Sequence, residues 1–256
     1  QNSGTYVAWQ WKANGGTTSS NSNGSITSTV QANTTAGFSV VTYTGNATSG
    51  ATVGHGLGKA PSWYMCKRRA NSGHWEMYHE GNTSEPQTEH IRLSASSATE
   101  DSNEYWNDTA PTSSVFSLGN HVNVNENANT YVAYCFAEIK GYSKFGSYIG
   151  NGNTDGAFVY TGFKPALVIC KKTSAAENPN MTDNKRSPFN VCQAGLSPAT
   201  SSAEDTTNGV RIDLLSNGFK ARDTAGQYND NSATYIYMAF AEHPFVSSKG
   251  VPVTAR

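Results

Sequence analysis

The stretch TYVAYCFAE at residues 130–138 decides how this chain is read. It recurs as TYIYMAFAE at 234–242, and more loosely as TYVAWQWKA at 5–13. In an extended chain, side chains alternate between two faces. Val132, Tyr134 and Phe136 then share one face, and Tyr131, Ala133, Cys135 and Ala137 the other. Both faces are apolar, which predicts a central strand buried on both sides. Its aromatics are expected to serve the core rather than a ligand.

Aligning the two FAE copies sets a shift of 104 residues. The same shift places Gly58 on Gly162, Pro61 on Pro165, Cys66 on Cys170, Lys67 on Lys171 and Tyr131 on Tyr235. It also places Glu100-Asp101 on Glu204-Asp205. Tyr43-Thr-Gly-Asn46 matches Tyr148-Ile-Gly-Asn151 at a shift of 105, so one residue has been gained there. The chain reads as a tandem duplication with units at 37–140 and 141–245. Short apolar runs at 38–43, 62–67, 74–79, 115–118, 166–171, 212–215 and 218–221 alternate with Asn, Asp, Gly and Ser turns. Such spacing predicts an all-β fold of two tandem antiparallel β-sandwich domains, jelly-roll-like, without an amphipathic helix beyond one turn at 94–99. Residues 1–13 read as the last strand of a preceding domain, or as a strand completing the first unit. Residues 14–36 read as a polar linker or loop with one short strand at 26–30, and 246–256 as a C-terminal tail. Because the chain starts at Gln1, it is expected to be part of something longer.

Composition narrows the function. The 256 residues carry a net charge of −1 and only 14 % charged residues, so no basic surface grips nucleic acid. No segment reaches the roughly 18 apolar residues of a membrane-spanning helix. Four cysteines, Cys66, Cys135, Cys170 and Cys192, show neither CxxC nor metal-site spacing and read as buried structural thiols rather than disulfides.

Catalytic patterns are missing from the sequence. There is no G-x-S-x-G elbow, and Glu100-Asp101, Glu138 and their copies recur as turn and cap residues do. NGNTDG at 151–156 resembles the start of a calcium loop, but Gly162 stands where its bidentate Glu belongs, so a turn is expected, as for DTAGQYNDN at 223–231. His55, His74, His79, His90, His121 and His243 show no paired spacing. The expectation is therefore a non-enzymatic protein with no cofactor and no metal.

What differs between the two copies is freer to carry function. The first unit offers Trp75, Tyr78, His79, Tyr105 and Trp106 in or beside loops, with Arg68, Arg69 and Arg92 nearby. Their aligned positions in the second unit are mostly small or polar, including Thr182 and Val210. Aromatic platforms with polar neighbours on a rigid scaffold suit sugar binding. These eight residues are the candidate ligand-binding set, while Trp63 is expected in the core.

The runs WQWKANGG (9–16), GFSVVTYTGN (37–46), VGHGLGKAP (53–61), YVAYCFAEIKGYSKFG (131–146), DNKRSPFN (183–190) and PVTAR (252–256) resemble a module of bacteriophage virion proteins. That module is abundant in marine phages, has no assigned biochemical function, and often follows a laminin-G/concanavalin-like domain in tail-fibre proteins. The tryptophan that often follows the second unit's apolar strand is replaced here by Asn178-Pro-Asn180. The resemblance implies a virion surface protein assembled in the host cytoplasm. Its partners would be other virion proteins and a host surface glycan or protein, in a homo-oligomer such as a trimer. A purely structural virion module and a polysaccharide-degrading tail enzyme are the alternatives.

Overall fold

The computed structural model describes residues 4–206 and 211–244. The Val210 comparison and the tail at 246–256, with its PVTAR motif, lie outside the described residues. Ten strands come from the first half: β1 (Ser19–Asn21), β2 (Ser28–Asn33), β3 (Phe38–Thr44), β4 (Ala51–Gly54), β5 (Trp63–Arg68), β6 (Glu76–His79), β7 (Glu89–Arg92), β8 (Glu100–Asp101), β9 (Val115–Leu118) and β10 (Thr130–Phe136). Eight follow: β11 (Ser143–Ile149), β12 (Phe158–Tyr160), β13 (Pro165–Lys172), β14 (Asn180–Asp183), β15 (Gly195–Leu196), β16 (Ile212–Leu215), β17 (Gly218–Ala221) and β18 (Thr234–Ala241). Two four-residue helices, α1 (Asn103–Trp106) and α2 (Val122–Asn125), interrupt the first half. The strands pair antiparallel throughout.

Strand order repeats between the halves. The first sheet runs β1-β2-β3-β10-β5-β6-β7-β8 and the second β11-β18-β13-β14-β15, so β10 and β18 hold the same place. A smaller sheet, β4-β9 or β12-β17-β16, accompanies each. The local anchors repeat as well. Tyr43 Oη donates to the Val124 carbonyl at 2.7 Å, and Tyr148 Oη to the Tyr228 carbonyl at 2.9 Å. Buried Asn125 and Asn229 each accept, at 2.9 Å, from the backbone N–H of Asn46 and Asn151 respectively. Tyr43 stacks on Tyr131 at 5.2 Å, and Tyr148 on Tyr235 at 5.1 Å.

Three cores explain the two-faced apolar strands. Tyr131, Ala133 and Cys135 of β10 pack with Val53, Phe116, Leu118 and Trp106 inside the first half. Tyr237 and Ala239 of β18 pack with Phe219, Leu214 and Val159 inside the second. Between the two larger sheets lies a shared core, in which Phe38, Trp63, Met77 and Phe136 meet Phe145, Leu167, Ile236, Met238 and Phe240. Phe136 stands 4.4 Å from Trp63 and 5.7 Å from Phe240, ring centre to ring centre. The second apolar face of each central strand is thus covered by the other half.

Two expectations about the N-terminal region are corrected. Residues 14–36 are not a linker, because β1 and β2 form a hairpin that extends the eight-stranded sheet past β3. Buried Val30 and Ser28, whose hydroxyl donates to the Gly54 carbonyl at 2.8 Å, fix its inward face. Residues 5–13, expected as a third copy of the strand, make no ladder pairing. They lie over the shared core through side chains instead: Trp11 sits edge-on to Phe136 at 5.8 Å and to Phe240 at 5.1 Å.

Candidate functional site

The eight sequence-selected residues do not form one surface. Tyr78 and Trp106 are buried in the first-half core, each 4.9 Å from Tyr64 by ring centres. Arg68 is held by Glu126, and Arg69 is exposed. Trp75 is half-buried and stacks on Tyr134 at 5.7 Å on the shared-core side. β6 lies in a sheet covered on both sides, so all four of its residues, Tyr78 and His79 among them, are buried.

His79 is a tie between the halves. Its Nε2–H donates to the Tyr237 carbonyl at 3.1 Å, and its Nδ1 accepts from Gly81 N–H at 3.0 Å. Burial lowers its pKa to about 4, slightly offset by the bond to Tyr237. The folded chain holds this imidazole neutral, whereas the unfolded chain protonates it near 6.5. Its contribution to stability is therefore complete above pH 6.5 and is lost as the pH falls to about 4, a loss approaching roughly 3 kcal/mol. His79→Gln should take up about one proton fewer on unfolding between these pH values, measured from urea denaturation curves at stepped pH.

Arg92 and Tyr105 belong to an ionic cluster that also contains Glu76, His90, Glu100, His121 and Asn123. Register builds it: Glu76 of β6 lies opposite Arg92 of β7, and His90 opposite Glu100 of β8. Arg92 donates to Glu76 Oε1 at 3.3 Å, Glu100 Oε1 at 3.3 Å, His90 Nε2 at 3.0 Å and Tyr105 Oη at 3.1 Å. Asn123 Nδ2 adds a 2.7 Å bond to Glu76 Oε1. Tyr105 is stacked between two imidazoles, His90 at 3.5 Å and His121 at 4.3 Å. A guanidinium can only donate, so His90 Nε2 must accept and the ring is neutral. Burial, then the neighbouring Arg92 guanidinium, lowers its pKa to about 3. Gly119 packs on the α1 backbone, where a Cβ would come within 2.1 Å of the Glu104 carbonyl and only glycine fits.

The second half lacks this cluster. At the aligned positions Asn180 replaces Glu76, Ala194 replaces His90, Leu196 replaces Arg92 and Ala225 replaces His121. Sequence reading left out Glu76, His90 and His121 because strand register and the α1–α2 connection, not spacing, bring them together. The available signal was a glutamate inside an otherwise apolar strand in a chain poor in charge.

A second feature is a cleft of about 600 Å³ under residues 9–13, between the two large sheets. Trp9, Trp11, Val40, Met65, Tyr134 and Met181 line it, with the amides of Gln10 and Gln31. A cavity of about 210 Å³ bounded by Trp75 and Pro198 shares Met65 and Leu93 with it. This size and aromatic lining match those of small-ligand sites. Beside Trp9, Arg186 places its guanidinium 5.6 Å from the ring centre and is held by Asp183 at 2.6 Å.

Among the described residues no group of His, Cys, Asp and Glu is placed to hold a metal ion, and no helix is long and apolar enough to cross a membrane. The four cysteines are buried and unpaired with one another. These features define an all-β protein of antiparallel sheets with an ionic cluster inside one half and an aromatic cleft between the halves. The chain belongs to a family described as a domain of unknown function, DUF7483, whose model matches residues 1–244. No curated protein and no solved structure matches it.

Proposed function

We propose that the protein is a non-enzymatic bacteriophage virion surface protein, a tail-fibre or receptor-binding segment that recognises a host surface glycan or protein. It is built, on this reading, as two tandem antiparallel β-sandwich units of jelly-roll type. The aromatic cleft supports the binding role more than any other feature. Flat rings of Trp9, Trp11 and Tyr134 beside the amides of Gln10 and Gln31 suit a ring-shaped or aromatic epitope. Thiol chemistry is disfavoured: burial pushes Cys66 up to about 12 and Cys192 up to about 11, which leaves little thiolate at neutral pH.

The test is labelling of susceptible bacteria with the fluorescently tagged protein, compared with a Trp9→Ala/Trp75→Ala variant that keeps the native far-ultraviolet circular dichroism. Wild type should stain cells, and the variant should need at least about tenfold more protein for the same signal. Failure of wild type to stain any susceptible host, or equal staining by the variant, would remove the cleft-based reading. Binding to other virion proteins alone would point to a structural virion module.

A further inference from the structure

The ionic cluster sits where the eight-stranded sheet ends, and it carries the last two strands. β8 is two residues long and exposed, and β7 reaches the rest of the sheet only through β6. Besides the backbone ladders, Arg92 ties β7 through its side chain to Glu76 on β6, Glu100 on β8 and Tyr105 on α1. Its bond to His90 fixes which protonation state the closed edge accepts.

We propose that Arg92, His90 and Glu76 form a proton-released latch, which holds β7, β8 and α1 closed at neutral pH and lets this edge open in acid while the second half stays shut. A proton on His90 removes the only acceptor it offers Arg92 and places two cations 3.0 Å apart. The groups facing His90 decide whether the charge can be absorbed. Glu76 Oε2 is 3.8 Å away and Glu100 Oε2 3.6 Å, both beyond hydrogen-bond reach of His90, and the other oxygen of each carboxylate is held by Arg92. Tyr105 covers one ring face and His121 lies beyond it, with Glu104 also near His121. His121 Nδ1 accepts from Asn123 N–H at 3.1 Å, so it too is held neutral and joins the same release. The second half has no ionisable counterpart at the Glu76, His90, Arg92 or His121 positions. The latch is independent of what the cleft binds. Yet Trp75 and Leu93, which flank Glu76 and Arg92 in sequence, wall the cavity on the other face of these strands, so opening would widen it.

Hydrogen exchange of the full chain, corrected for the chemical exchange rate, tests the latch. An imidazole that titrates near 6.5 in the open edge and about 3 in the closed one makes opening roughly fiftyfold more frequent at pH 4.5 than at pH 6.5. The amides of β7 and α1 should lose protection by that factor, while those of β14 and β18 lose little. In His90→Gln, whose side-chain oxygen still accepts from Arg92, the loss should flatten to a few-fold. An equally steep loss in His90→Gln would overturn the proposal. If that variant does not fold, wild type still decides, because protection lost equally in β7, β14 and β18 would mean global acid unfolding and no latch.

Discussion

Phe136→Ala is expected to lower the free energy of unfolding by about 3–5 kcal/mol, and to do so for both halves of the chain at once. Phe136 is a buried ring in contact with Trp63, Phe38, Phe145, Trp11 and Phe240, drawn from the first half, the second half and the N-terminal segment. Removing it leaves a cavity that no single neighbour can fill, because these rings are held by different layers. All five tryptophans lie between positions 9 and 106, so fluorescence follows the first half. Exchange of the β18 amides follows the second. Both should move to lower urea concentration together. A fluorescence shift with unchanged β18 protection would mean that the shared core does not couple the halves.

Glu76→Ala should cost about 3 kcal/mol or more, because it strands a largely buried guanidinium rather than because the pair itself is strongly stabilising. Glu76 is fully buried and supplies the only carboxylate deep in the cluster, while the other partner, Glu100, is half-exposed. Glu76→Gln keeps an oxygen for Asn123 and should cost less. Replacing both partners, as Glu76→Asn/Arg92→Leu, recreates the uncharged pair Asn180 and Leu196 of the second half and should recover part of the loss. Thermal unfolding of the three variants at pH 7 measures the order. A double variant no more stable than Glu76→Ala would contradict this explanation.

The central strands were legible because a two-faced apolar run has few other uses. Val115–Leu118, Ile212–Leu215 and Gly218–Ala221 were read to the residue, since turn residues bracket them closely. What alternation could not say is how many layers cover a face. Tyr78, His79 and Trp106 were read as loop neighbours, yet a second sheet or a helix covers each. Of the polar hairpin, the strand expected at 26–30 overlaps β2, whereas β1 gave no signal, for the opposite reason. The hairpin is an edge element with one buried face, and its Ser, Thr and Asn residues give little apolar signal. The ionic cluster depends on β6–β7–β8 register, which the loop lengths did not specify. Residues 5–13 show the limit of similarity: the aromatic pattern survives, but Trp9 and Trp11 pack from outside the ladder.

The shared core sets equivalent residues against each other. Phe136 meets Phe240, and Met77 and Met181 lie in the same cluster, each pair separated by the repeat shift of 104. This is the arrangement of a two-fold dimer, in which the same patch from two subunits is self-complementary. A lone unit would present Phe136, Trp63 and Met77 to water and would have to find its partner by diffusion. Here residues 137–142 tether the partner, so its effective concentration is fixed by a short linker and not by how much protein is present. Contacts across the shared core are therefore intramolecular and do not depend on protein concentration.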